Sequence, residues 1–129
     1  MAGWDDVRRI ALALPHAAEE RRREQLRWTV DGKLFVWERP LRPSDLRALG
    51  DTAPQGPILG VRVEHLGAKE AWLVSAPHAC FTTPHFDGYP AVLVRLETVA
   101  PSELEELVVD AWLARAPTRL ARGYVEARR

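Results

Sequence analysis

Hydrophobic and polar positions alternate along this chain in two distinct rhythms. Trp4, Val7, Ile10, Ala11 and Leu14 recur at helical spacing with Asp5, Arg8 and Arg9 opposite them. Residues 4–14 are therefore predicted to form an amphipathic helix, ended by Pro15. Asp5 and Asp6 stand where the helix dipole favours negative charge. The run at 19–24, Glu-Glu-Arg-Arg-Arg-Glu, is mixed in sign and has no apolar side chain, so a solvated linker is expected. Leu26, Trp28 and Val30 then alternate with Arg27 and Thr29 as in a half-buried strand, and residues 33–38 form a second strand. Asp31-Gly32 between them is a strong hairpin signal, because a two-residue turn of this kind needs positive φ at both positions. Such a turn predicts that Val30 pairs with Lys33, Trp28 with Phe35, and Leu26 with Trp37, on the core face. Arg27, Thr29, Leu34 and Val36 then point the other way.

Residues 40–57 are rich in proline and glycine, with a short helical candidate at 44–49. Residues 58–64 alternate again, with Leu59, Val61 and Val63 inward and Arg62 and Glu64 outward. A short helix at 68–76 is stopped by Pro77, a short strand follows at 80–82, and 83–90 form a tight polar loop. Residues 91–96 are the fifth predicted strand, with Val92, Val94 and Leu96 inward. Leu104, Leu107, Val108, Ala111 and Trp112 make one apolar stripe opposed by Glu103, Glu106 and Asp110. Ser102 and Glu105 fit a capping box for that helix. After Pro117, Thr118 can cap a last helix reaching about residue 127. No βαβ alternation is present. The pattern predicts one α+β domain over 1–129: a five-stranded antiparallel sheet with helices packed on one face.

Composition narrows the class without revealing the chemistry. The 129 residues carry 18 basic and 18 acidic side chains, for zero formal charge, with 47% hydrophobic and 28% charged residues. These values suit a single globular domain and exclude a disordered chain. The one cysteine, Cys80, excludes an internal disulfide framework. No apolar run approaches the roughly 20 residues of a membrane helix, and the charged first helix is no signal-peptide core, so a cytoplasmic protein without a membrane partner is expected. Arginine outnumbers lysine 16 to 2 and alanine is abundant, which points to a GC-rich bacterial genome.

Three surfaces are candidates for binding. In the loop at 82–90, Thr82, Thr83, His85 and Tyr89 could line a small ligand pocket, His85 being titratable near neutral pH. The plainer alternative is a turn stiffened by Pro84 and Pro90. His78, His85 and Asp87 have no zinc-like spacing, so no metal is expected. No cofactor or catalytic motif is recognisable, and Cys80 lies within a strand, so a non-enzymatic protein is expected. Arg115, Arg119, Arg122, Arg128 and Arg129 against Glu126 give the last fifteen residues a formal charge of +4. Together with the outward Arg27, Arg62 and Arg95 they could meet the phosphates of double-stranded DNA. A sequence pI near 6.9 weighs against that. A base-stacking sheet would need outward aromatics, and the predicted register turns Trp28, Phe35 and Trp37 inward. Finally, Leu34, Val36 and Leu93 make the outward sheet face more apolar than a solvated one should be. A homodimer or another protein partner would cover it, or the 40–57 segment or last helix folds back over it.

Residues 81–96, Phe-Thr-Thr-Pro-His-Phe-Asp-Gly-Tyr-Pro-Ala-Val-Leu-Val-Arg-Leu, resemble the signature of the MmcQ/YjbR family. So do Asp6-Val7-Arg8-Arg9 with Leu12-Ala13-Leu14-Pro15, the turn Gly32-Lys33-Leu34-Phe35, and Ala111-Trp112 with Ala116-Pro117. The resemblance covers nearly the whole chain in order. It implies a two-layer α-β-β-β-α-β-β-α sandwich, with a further C-terminal helix here, similar to secretion chaperones and the frataxin-like CyaY sheet. It also implies DNA binding and brings no catalytic residues. Between Trp37 and Pro57 this chain departs from the commoner family form, a Pro-rich loop replacing a short strand connection. The expected function is thus a non-catalytic DNA-binding module. The alternative is a protein-interaction domain, dimeric and chaperone-like.

Overall fold

The computed structural model describes residues 2–129. Helix α1 (Trp4–Leu12) leads into three strands, β1 (Ala17–Arg22), β2 (Gln25–Val30) and β3 (Lys33–Glu38). Helix α2 (Pro43–Leu49) and a 3-10 turn (Gly50–Thr52) precede β4 (Ile58–Arg62), and α3 (Leu66–Ser75) precedes β5 (Cys80–Phe81). A second 3-10 turn (Pro84–Phe86), β6 (Ala91–Arg95), α4 (Pro101–Arg115) and α5 (Thr118–Ala127) complete the chain. All strand pairs are antiparallel, in the order β1-β2-β3-β4-β6-β5. No helix among the described residues is long and apolar enough to cross a membrane.

The sheet has six strands where the hydrophobic pattern predicts five. The extra one is β1, whose charged run reads as linker. It is an edge strand, and charge on an edge blocks pairing with a further chain. Its one inward carboxylate, Glu19, accepts two hydrogen bonds at Oε1, from Arg8 Nε at 2.7 Å and Trp28 Nε1 at 2.9 Å. The Arg8 bond, with help from Trp28, holds Glu19 below the usual glutamate range despite partial burial. The turn into β2 places Arg23 and Glu24 at φ 52° and 65°. Non-glycine residues rarely adopt that conformation, so the turn carries no sequence signal.

The Asp31-Gly32 turn has the expected positive φ values, 47° and 81°. The register beyond it does not follow the simple count. Val30 pairs with Lys33 and Thr29 with Leu34, but Trp28 then pairs with Val36 and Arg27 with Trp37. A β-bulge inserts Phe35, so Phe35 and Val36 are both buried in the main core. A one-residue slip exchanges the faces of everything beyond it. The predicted Trp28–Phe35 and Leu26–Trp37 pairings are therefore replaced, Val36 turns inward, and Trp37 turns outward.

The main core lies between the sheet and α1, α3 and α4, built from Trp28, Phe35, Leu59 and Val94 against Val7, Ile10, Leu107 and Trp112. Full burial of such side chains stabilises by roughly 1.5–3 kcal/mol each. Leu59, Val61, Val63, Val92, Val94 and Leu96 all face it, as the alternation predicts. Helix α5 leans on it through Leu120 and Tyr124. The start of α4 differs in detail: Glu103, not Glu105, bonds back across the helix start, accepting from Ala100 N–H at 2.9 Å. A second, smaller core lies on the opposite face, where Leu41, Phe81 and Phe86 cover Ile58, Ala91 and Leu93. Part of the 39–57 segment and the 84–90 loop thus close half of the second face.

Candidate functional site

The other half of that face stays open, and its shape follows from the bulge. Trp37, turned outward, lies over Gly60 on β4. A Cβ at Gly60 would fall 2.6 Å from Trp37 Cζ2 and 2.8 Å from Cδ2, and closer still to Cε2. An edge-on ring would hold Cδ2, behind Cε2, about an ångström farther away, so the indole lies flat on the Gly60 backbone. Around Trp37 open two cavities, of about 480 Å³ and about 560 Å³, which share Gln25, Leu34 and Trp37 as lining. They form one continuous groove across β2 and β3.

One end of the groove is bordered by Arg22, Arg23 and Arg27, with Glu38. The other is bordered by Arg39, Arg42 and the loop from His85 to Tyr89, including Asp87. Five arginines thus face two carboxylates, and not all of them are free. Arg39 Nη2 donates to Asp45 Oδ2 at 3.0 Å, both side chains being almost fully buried, and its guanidinium lies 5.2 Å from the Phe86 ring. Burial pushes the Asp45 pKa up, but the Arg42 N–H at 2.8 Å and the Arg39 charge outweigh it and leave Asp45 below the usual range. Arg39 is therefore a structural tie. Arg27 Nε lies 3.5 Å from Glu20 Oε1. Arg22, Arg23 and Arg42 are exposed, with no carboxylate within ion-pair distance among the described residues.

The His85–Tyr89 wall is held from behind. Lys69, reaching from α3, donates through Nζ to Phe86 O at 2.6 Å and Tyr89 O at 3.0 Å. Its burial pushes the ammonium pKa down, with Asp87 opposing. Gly88, at φ 73°, lets the loop turn. Arg62 completes the clamp: Nε donates to Pro90 O at 3.2 Å, Nη1 to Tyr89 Oη at 3.1 Å, and its guanidinium lies 5.0 Å from the Tyr89 ring.

The predicted site residues scatter. Arg27, Leu34, His85 and Tyr89 line the groove and Arg62 supports it. Thr83 is buried at 2% exposure and, like Thr82, does not line it, so the predicted ligand pocket keeps only His85 and Tyr89. Val36 and Leu93 are buried, the first by the bulge and the second under Phe86, so the predicted partner face reduces to Leu34. Arg95 is half-buried against Phe81, 5.4 Å from its ring. Arg115 donates to Leu34 O at 3.2 Å. Arg119 and Arg128 border a different groove with Pro15, His16 and Tyr124, Arg122 a third beside Val125, and Arg129 is exposed at the end of the chain. The α5 arginines and the groove's arginines line different cavities.

Cys80 is buried, and desolvation, with the nearby Glu103 charge, pushes its pKa up to about 12, so no thiolate is available near neutral pH. No cluster of three metal-ligating side chains occurs among the described residues. Pattern reading misses Trp37, Gln25, Arg22, Arg23, Arg39 and Arg42. A usable signal does exist: Gly60 inside a strand marks a place where another group approaches closely.

No family model matches the chain. It is 50% identical over 128 residues, 97% of either chain, to the uncharacterised protein Rv2570 of Mycobacterium tuberculosis H37Rv. The same figures hold for the uncharacterised protein Mb2600 of Mycobacterium bovis. Among solved structures, it is similar to Deinococcus radiodurans protein DR2400, which carries a DUF419 domain, the MmcQ/YjbR-like family. The TM-score is 0.65 at 22% identity, covering 88% of this chain and 78% of that one, a likeness of fold.

Proposed function

The chain belongs to the same family as these mycobacterial proteins, and on that premise we propose that it is a non-catalytic DNA-binding module of the MmcQ/YjbR type, with the open half of the second sheet face as its binding surface. One observation carries the reading: the groove over Trp37 is bordered by arginines at both ends, and three of them lack a carboxylate partner among the described residues. Free guanidinium groups on both sides of a groove suit a chain of phosphates. The sequence pI near neutrality describes the whole chain, whereas the groove is lined by five arginines against Glu38 and Asp87. Resemblance of residues 81–96 to the MmcQ/YjbR signature points the same way, since the 84–90 loop forms one wall. The competing protein-interaction reading rests on an apolar face of Leu34, Val36 and Leu93, of which only Leu34 is left uncovered.

The test is a salt series of DNA binding, read as fluorescence anisotropy of a labelled oligonucleotide. Three free arginines predict a slope near −2.7 in log affinity against log salt for a duplex, about 40-fold between 50 and 200 mM. Arg22→Glu with Arg42→Glu should weaken binding at least tenfold and flatten that slope. If Arg119→Glu with Arg122→Glu costs more than the sheet pair, or if no binding occurs at low salt, the open-face reading is wrong.

A further inference from the structure

We infer that the DNA this face accepts is single-stranded, with one base stacked on the outward side of the Trp37 indole; the inference rests on the DNA-binding reading above. Trp28 and Trp112 are fully buried, Trp4 is stacked on Trp28, and Trp72 packs on the main core. Trp37 alone of the five tryptophans lines the groove of the second face. One side of its ring lies on the Gly60 backbone, which leaves the opposite side toward the groove. The ring is also pre-ordered, packed against the second core of Ile58, Phe86, Ala91 and Leu93, so little side-chain freedom is lost when a base lands on it.

The position of the ring decides between a duplex and a single strand. Trp37 lies between the two ends and lines both cavities: Arg22, Arg23 and Arg27 stand at one end, and Arg39, Arg42 and the His85–Tyr89 loop at the other. A duplex keeps its base faces stacked inside and offers a groove of this kind only sugars and phosphates. A single strand can turn a base out of the stack and lay it on an aromatic face while its phosphates follow the arginines. Two cavities of about 480 Å³ and about 560 Å³ leave room for nucleotides on either side of the tryptophan. Stacking needs only a π-face, so little sequence preference follows.

The experiment compares a labelled twelve-nucleotide oligothymidylate with a twelve-base-pair duplex, using the full chain and its Trp37→Leu and Trp37→Tyr variants. Expected are tighter binding of the single strand by at least tenfold, and a loss of about tenfold or more on Trp37→Leu that falls on the single strand more than on the duplex. Trp37→Tyr, which keeps a stacking ring, should recover most of the difference; this separates lost stacking from lost folding. Binding of oligothymidylate should also quench a tryptophan emission component absent from Trp37→Leu. A duplex bound as tightly as the single strand, or Trp37→Leu weakening both equally, overturns the inference. In that event arginine-dependent duplex binding would leave the DNA reading standing, whereas failure of both probes to bind would remove both.

Discussion

Gly60→Ala tests the packing on which the groove depends. Gly60 has no left-handed backbone conformation, so alanine fits the strand locally and its whole cost is the new methyl meeting Trp37. Carbon atoms rest about 3.5–4.0 Å apart, while this methyl would fall 2.6 Å from Cζ2 and 2.8 Å from Cδ2. The indole must lift by about an ångström or leave its rotamer, at about 1–3 kcal/mol for overpacking of this kind. Alanine returns about 0.5–1 kcal/mol by restricting the unfolded chain. The net loss is therefore centred on about 1 kcal/mol and reaches at most about 2.5 kcal/mol, or roughly 4 °C in melting temperature at the centre for a domain of this size. Thermal unfolding followed by circular dichroism measures it. A double-mutant cycle with Trp37→Leu isolates the cause, because a smaller, flexible side chain relieves the overlap and the pair should cost less than the sum. A melting temperature that stays level or rises, with strictly additive single and double variants, would refute the flat Trp37–Gly60 contact and with it the stacking surface.

Two further predictions concern the supports of the fold and of the groove. Glu19 is held ionised by Arg8 and Trp28, so its folded pKa lies below its unfolded one. Its contribution is present above the ordinary glutamate range near 4.5 and is lost as pH falls through the lower folded value. Urea midpoints at about pH 7 and about pH 3.5 should differ less in Glu19→Gln than in the native chain, and equal differences would reject the assignment. Lys69→Met removes both bonds that clamp the 84–90 loop, worth about 1.5–3 kcal/mol each and offset by relief of the buried charge. The Phe86 and Tyr89 amides, which bond within the loop to Thr83 O and Phe86 O, should exchange at least tenfold faster while core amides hold. Unchanged loop exchange would show that Lys69 is not the clamp.

Residue pattern alone determined where most elements lie and which side of them is apolar. The alternation at Leu59, Val61, Val63, Val92, Val94 and Leu96 and the stripe on α4 follow from burial on one face, and a period of 2 or 3.6 records that directly. Asp31-Gly32 announced its turn because few residues accept positive φ. Tertiary structure decided the rest. Edge strand β1 has no apolar face to record, and its turn uses Arg23 and Glu24 in a conformation their identities do not signal. Phe35 and Val36 are both drawn into the core, and the bulge that admits them turns Trp37 outward, a slip that counting from the turn cannot detect. Even the groove's arginines come from two separate stretches of chain, 22–27 and 39–42, which only the folded sheet brings to one groove. Periodicity reports whether a residue is buried on average; the competition among particular side chains for one core sets which face each finally takes.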